Sequence, residues 1–359
     1  MKQNYYIIRH GKLVRKGNTV YFLCRKEEND KPELIMEVDG EEIKDQPEDA
    51  SDHTAYARYI LPIEQIGSIF LYGRVSMTSG VISYLAKRNI PVHFFGYYGN
   101  YECSLMPKDF LLSGKLHIEQ ARHYLEEDKR LYIARRIVEG SALNMIRNLE
   151  NYSNEGVDLN REISLIRSTL QSCYNCSRVS ELLAIEGNIR STYYSTFPKI
   201  LKHRMEWEGR IRQPPSNPLN AMLSFGNSLL YAITINQIYH TQLDQTISFL
   251  HEPSERRFSL ALDISEIFKP FLVDRIIFKL VNKGMISDSH FVKGLEGCLL
   301  NRKGKEVFLN EFHNKLKTTI KHRSLGRKIS YERLIYLECL KLIKHFIQMK
   351  EYKPFVIWW

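Results

Sequence analysis

Cysteine is scarce: only Cys24, Cys103, Cys173, Cys176, Cys298 and Cys339 occur in 359 residues. That is too sparse for a disulfide framework and fits a reducing compartment. Met1 to Leu13 lacks the apolar segment of a secretory leader, so a cytoplasmic protein is expected. One uncharged run, Gln213 to Leu243, is long enough to span a bilayer. Asn217, Asn220, Ser224, Asn227, Ser228, Asn236, Gln237 and His240 interrupt it, so it is read as a buried helix, with no membrane partner. There is no Walker A loop, no G-x-S-x-G elbow and no H-E-x-x-H signature, which removes weight from those enzyme classes. Cys173-x-x-Cys176 has no second pair to complete a tetrahedral zinc site and is read as ordinary packing or surface cysteines. No internal repeat or low-complexity tract stands out.

What is present is a soluble globular composition, 43% hydrophobic and 26% charged, with chain enough for two domains. The net charge of +10 is unevenly placed. Residues 26 to 54 hold twelve Asp/Glu against three Lys, while the chain from residue 311 holds eleven Lys/Arg against four Asp/Glu. Lys315, Lys317, Lys321, Arg323, Arg327 and Lys328 follow one another with no acid between Phe312 and Tyr331. Such a run can follow a phosphate backbone by releasing counterions, or be a solvated basic face.

The fold class read from patterning is α+β, a β-rich N-terminal domain followed by a larger α-helical one. Tyr5-Tyr6-Ile7-Ile8 and Val20-Tyr21-Phe22-Leu23, around Gly11 and Gly17-Asn18, suggest a hairpin. Leu34 to Val38, closed by Asp39-Gly40, reads as a strand in a decorated loop. Ile66 to Leu71 is apolar. Thr78 or Ser79 can cap a short helix with Val81, Ile82 and Leu85 inward, Asn89 can stop it, and Ile90 to Phe95 is again strand-like. From about Ser113 apolar residues recur every three or four positions. These signals place a β-rich domain at 1–107, a linker at 108–112 and a helical domain at 113–359.

The informative chemistry lies in His251 and in Leu260-Ala261-Leu262-Asp263-Ile264-Ser265-Glu266-Ile267-Phe268-Lys269-Pro270. If 260 to 268 is helical, Asp263 and Glu266 share a face among apolar residues, and at least one faces the interior. A buried carboxylate needs a partner, which a divalent cation supplies, and His251 can complete a nitrogen-plus-oxygen site. Glu186 is a second carboxylate in an apolar frame, followed by Arg190, Tyr193 and Tyr194. Plainer readings stand beside these: an i,i+4 pair of Glu186 with Arg190, a solvated face or dipole-favouring end for Asp263 and Glu266, and a loop histidine with one hydrogen bond. Periodicity cannot join positions 186, 251 and 266.

Several ordered blocks together resemble the CRISPR-associated endonuclease and integrase family that inserts spacers during adaptation. They are Tyr5 to Ile8 with Arg15-Lys16-Gly17-Asn18-Thr19, Leu61-Pro62, Gly73 to Val75, Asn89-Ile90-Pro91-Val92, Ile185-Glu186-Gly187 with Tyr193-Tyr194, Pro218 to Gly226, Phe249-Leu250-His251, Leu262 to Pro270, and Tyr352-Lys353-Pro354-Phe355. The resemblance spans nearly the whole chain. It implies that Glu186, His251 and Glu266 are metal ligands and that Asp263 supports them. The acidic stretch 26–54 departs from the family's shorter pattern.

An imidazole with two carboxylates suits Mn²⁺ or Mg²⁺, and manganese tolerates the imidazole better. The resemblance further implies water attack for cleavage and attack by a DNA 3′-hydroxyl on the repeat for integration. It also implies homodimers through the β-rich domain and a complex with the small second adaptation nuclease. Arg190, Lys269, Arg275, Lys321, Arg323, Arg327 and Lys328 are candidates for phosphate contacts, and Tyr193 or Tyr194 for stacking on an unpaired base. Two other readings are a nonenzymatic basic DNA-binding scaffold and an unrelated helical metal-dependent phosphohydrolase acting on small phosphoesters.

Overall fold

The computed structural model describes residues 2–25, 56–108, 111–203, 205–211, 214–253, 258–294, 297–323 and 325–358. The acidic stretch, with the strand read at Leu34 to Val38, lies outside them. The chain divides into two units, Met1–Phe110 and Leu111–Trp359.

The first unit holds two four-stranded sheets. One runs β1 (Gln3–Ile7), β5 (Ile66–Leu71), β7 (Val92–Phe95), β8 (Tyr101–Leu105), and the other β4 (Tyr56–Leu61), β3 (Thr19–Arg25), β2 (Gly11–Lys16), β6 (Val75–Met77). The hairpin around Gly17 joins β2 to β3, with Lys16 opposite Thr19, and Gly17 adopts the left-handed φ of +61° that this turn requires. Tyr5 to Ile7 is therefore not the hairpin's first strand. It pairs in parallel with β5, and Tyr5, Tyr6 and Ile7 are all buried, as expected of a strand covered on both faces. Tyr5, Leu13, Phe22, Ile69 and Val92 belong to the apolar core of this unit, and Val81 and Leu85 of α1 (Ser79–Lys87) complete it. Thr78 caps α1 by accepting from Val81 N, and Asn89 ends it at φ 55°. Tyr84 turns inward and Ile82 is only half-buried, a small correction to the expected inner face.

The second unit is built of helices α2 (Gly114–Leu125), α3 (Glu127–Asn154), α4 (Asn160–Gln171), α5 (Val179–Ser195), α6 (Phe197–Ile200), α7 (Pro218–Tyr239), α8 (Ser259–Phe268), α9 (Arg275–Asn282), α10 (Arg302–Lys317) and α11 (Tyr331–Phe346). It is not wholly helical. Two short antiparallel ribbons interrupt it, β9–β10 (Phe291–Gly294, Gly297–Leu300) and β11–β12 (Thr319–Lys321, Lys328–Ser330). The second ribbon carries part of the basic run, with Lys321, Arg323, Arg327 and Lys328 all exposed.

Helix α7 is buried on nearly every side, as the uncharged run predicts, and packs on α8 and α11. Among the described residues no helix is long and apolar enough to cross a membrane. Helix α3 packs on α4, α5 and α8, and so lies against both helices that carry the carboxylates of interest.

Candidate active site in the helical unit

Asp263 and Glu266 do share a buried face of α8, at 0% and 5% exposure. The helix then changes character. Pro270 has no N–H to give to the carbonyl four residues back, and Lys269–Asp274 forms a π-helical turn before α9. Two amides one turn apart on α3 compensate. Asn144 Nδ2 donates to Ile267 O at 2.8 Å, and Asn148 Nδ2 donates to Pro270 O at 2.5 Å. The segment that carries Glu266 and Lys269 is thereby held from both sides of the break.

Asp263 is the anchor of the preceding loop. Its Oδ2 accepts from Phe249 N at 2.6 Å and Leu250 N at 2.9 Å. Its Oδ1 accepts from His251 N at 3.0 Å and faces His251 Nδ1 at 2.8 Å. Arg130 Nε of α3 secures the same loop by donating to Phe249 O at 3.0 Å. With Nδ1 engaged, Nε2 is the ring atom left for a ligand. Burial pulls the imidazole toward the neutral form, but the hydrogen bond and charge of Asp263, with the charge of Glu266, outweigh it and raise its pKa.

Glu186 sits half-buried on α5, one turn before Arg190. The i,i+4 pair expected from sequence is present: Arg190 Nε donates to Glu186 Oε1 at 2.6 Å, and Nη2 reaches the same oxygen. That same Nη2 also donates to Glu266 Oε2, across 76 residues of chain. Lys269 Nζ holds the other oxygen of Glu266. Burial opposes charge on Glu266, yet Arg190, Lys269 and His251 outweigh it and keep its carboxyl far below the usual carboxylate range. Burial likewise lowers Lys269, an effect that Glu266 only partly offsets.

The structure thus brings Glu186 and Glu266 to one nitrogen and His251 to Asp263. Among the described residues, no group of three or more His, Cys, Asp or Glu is gathered to hold a metal ion. The reason is charge balance: two largely buried carboxylates need compensation, and Arg190 and Lys269 supply it from inside the fold.

Of the DNA-contact candidates, Tyr193 is fully buried and its hydroxyl accepts from Asn148 at 3.0 Å. Tyr194 is buried in an aromatic cluster with Phe197 and Trp207. Both rings serve packing here, which corrects their reading as base-stacking surfaces. Arg275 is turned inward to Asn148 Oδ1. Cys173 is buried, Cys176 is half-buried, and both are free thiols.

Sequence reasoning missed Asn144, Asn148 and Asp274. The two asparagines were visible as a polar i,i+4 pair on the buried stripe of α3. Asp274 is buried against Tyr193, and desolvation, only partly countered by Arg190, pushes its carboxyl up to about 7.

Fold and cluster together define an α+β protein whose helical unit gathers two carboxylates around one guanidinium, with an imidazole in electrostatic reach. Residues 5–314 match the model of the family described as CRISPR associated protein Cas1. A CRISPR-associated protein Cas1 of Methanobrevibacter ruminantium is 47% identical, covering 100% of this chain and 99% of its own. The CRISPR-associated endonuclease Cas1 of Methanothermobacter thermautotrophicus is 44% identical over 100% of this chain and 96% of its own. A solved Cas1 protein from Thermotoga maritima, 34% identical, matches with a TM-score of 0.79 over 99% of this chain and 100% of that one. The chain belongs to the Cas1 family and is an endonuclease of that family.

Proposed function

We propose that the chain is a divalent-metal-dependent DNA endonuclease and integrase that inserts spacer DNA into a CRISPR array, with Glu186, His251 and Glu266 as metal ligands. The observation that carries this reading is the meeting of two carboxylates, from α5 and α8, on one guanidinium nitrogen. Carboxylates that share one nitrogen are near enough to share one ion, and the donor set of two carboxylates with one imidazole nitrogen fits Mn²⁺ or Mg²⁺. When bound, the ion supplies Lewis-acid stabilisation of charge on the phosphate oxygens.

The protein's own groups do the rest. Asp263 fixes the tautomer and direction of His251 through Nδ1. Lys269 keeps Glu266 ionised. The exposed Lys321, Arg323, Arg327 and Lys328 of the β11–β12 ribbon offer cations to a phosphate backbone.

Water attacking phosphorus breaks a P–O bond and gives cleavage. A DNA 3′-hydroxyl in the same place gives strand joining, with one P–O bond formed for each one broken. In this reading the protein works in the cytoplasm, dimerises through its N-terminal unit, and assembles with the small second adaptation nuclease. Glu186→Gln, His251→Ala and Glu266→Gln are each expected to abolish metal-dependent cleavage and joining while circular dichroism stays unchanged. Full activity in all three variants ends the proposal.

A further inference from the structure

Arg190 stands where a ligand-bound cation is needed. Its Nε and Nη2 both serve Glu186 Oε1, and Nη2 serves Glu266 Oε2 as well. Its side chain is only 11% exposed, so water contributes little to holding it there. With Lys269 on the remaining oxygen of Glu266, the cluster carries two positive and two negative charges and is already neutral. A divalent ion entering this neutral, poorly solvated cluster meets two obstacles. One oxygen of Glu186 and both oxygens of Glu266 are filled, and the added charge is repelled at short range by a guanidinium that cannot deprotonate.

We propose that Arg190 is a tethered occupant of the metal position: it holds Glu186 and Glu266 together in the ion-free protein and leaves both carboxylates when a divalent ion binds. This inference rests on the reading of Glu186, His251 and Glu266 as metal ligands. It adds a coupling. A guanidinium released from two carboxylates needs a new anion, and a DNA phosphate matches its fork geometry. Phosphate that takes up Arg190 frees the carboxylates, so DNA strengthens metal binding, and metal strengthens DNA binding by the same factor. The free protein then holds its metal weakly, and the site becomes competent when nucleic acid is present.

The alternative role, in which Arg190 merely orients two ligands that the ion needs, has the opposite sign on removal. The test is Mn²⁺ affinity, read from the electron paramagnetic resonance signal of free Mn²⁺, for wild type, Arg190→Met, Arg190→Lys, Glu186→Gln and Glu266→Gln. Each is measured with and without a duplex of uncleavable phosphate linkages. Arg190→Met is expected to bind Mn²⁺ at least about tenfold more tightly than wild type without DNA and to show little further gain with it. Wild type is expected to gain about tenfold on adding DNA.

Equal or weaker binding by Arg190→Met overturns the inference, as does a wild-type affinity indifferent to DNA. Binding unchanged in both glutamate variants overturns the ligand assignment itself, which separates the two failures. Arg190→Met leaves two carboxylates short of a partner, so its melting temperature is read in EDTA and in Mn²⁺. It should be lower than wild type in EDTA and recover more with Mn²⁺, because a ligand bound only by the native state stabilises it. If that chain does not fold without metal, Arg190→Lys decides the matter. Its single ammonium lacks the two-nitrogen fork, so tighter Mn²⁺ binding than wild type supports the inference and equal or weaker binding overturns it.

Discussion

Replacing Asp263 with asparagine keeps shape and volume but removes one acceptor. The native carboxylate accepts from Phe249 N and Leu250 N at Oδ2 and from the His251 backbone N and ring Nδ1 at Oδ1. Asparagine must turn its NH₂ toward one of these pairs, so two donors at a site with no solvent exposure lose their partner. A buried donor left unsatisfied costs about 1–3 kcal/mol, which makes the expected loss about 2–6 kcal/mol. For a unit of this size that is a fall in melting temperature of roughly 10 °C.

A second signature is specific to His251. In the native protein the raised pKa of the ring means that its protonated form stabilises the fold below about pH 6.5. That contribution fades as pH rises through the raised folded value. With Asp263 neutralised, burial dominates, the pKa drops below its ordinary value, and protonation of the ring then destabilises the fold as pH falls. Thermal melts from pH 5 to 8, with NMR titration of the His251 ring, read both effects. An Asp263→Asn protein that melts within about 1 °C of wild type and titrates like it refutes the argument.

Three further outcomes follow from other contacts. Asn144→Ala removes an amide that donates to Ile267 O and Phe355 O and accepts from Ile357 N, so a loss of about 3 kcal/mol in urea denaturation is expected. Gly226→Ala puts a Cβ 2.6 Å from Val273 Cγ1 and 2.8 Å from Phe308 Cζ, and overpacking of α7 should cost about 1–3 kcal/mol by the same measurement. Neutralising Lys321, Arg323, Arg327 and Lys328 together should weaken duplex DNA binding for every sequence alike. It should also flatten the slope of log affinity against log salt by up to about 4, measured by fluorescence anisotropy.

Much of the local structure was legible because its causes are local. Thr78 and Asn89 marked both ends of α1, and Gly17-Asn18 marked a hairpin turn. The spacing of Asp263 and Glu266 put both on one face of α8. The partner of β1 was not legible, because Tyr5 to Ile7 pairs with residues about sixty positions away and a strand covered on both faces has no alternation to read. The β11–β12 ribbon was hidden for a related reason: its strands are three residues long, too short to show a period within a helical stretch.

The amino-acid order alone determined the periodic faces, the caps and turns, the charge asymmetry and the residue types able to bind an ion. Tertiary packing decided the rest. Glu186 meets Glu266 because α3 packs against both α5 and α8, and Asp263 faces the 249–251 loop because that loop folds back over its own helix. Arg190 serves two carboxylates rather than the single i,i+4 partner that its spacing predicts. Helical periodicity extends over a few residues, whereas these meetings join positions far apart in the chain, and only the way the helices stack brings their charges within reach of one another.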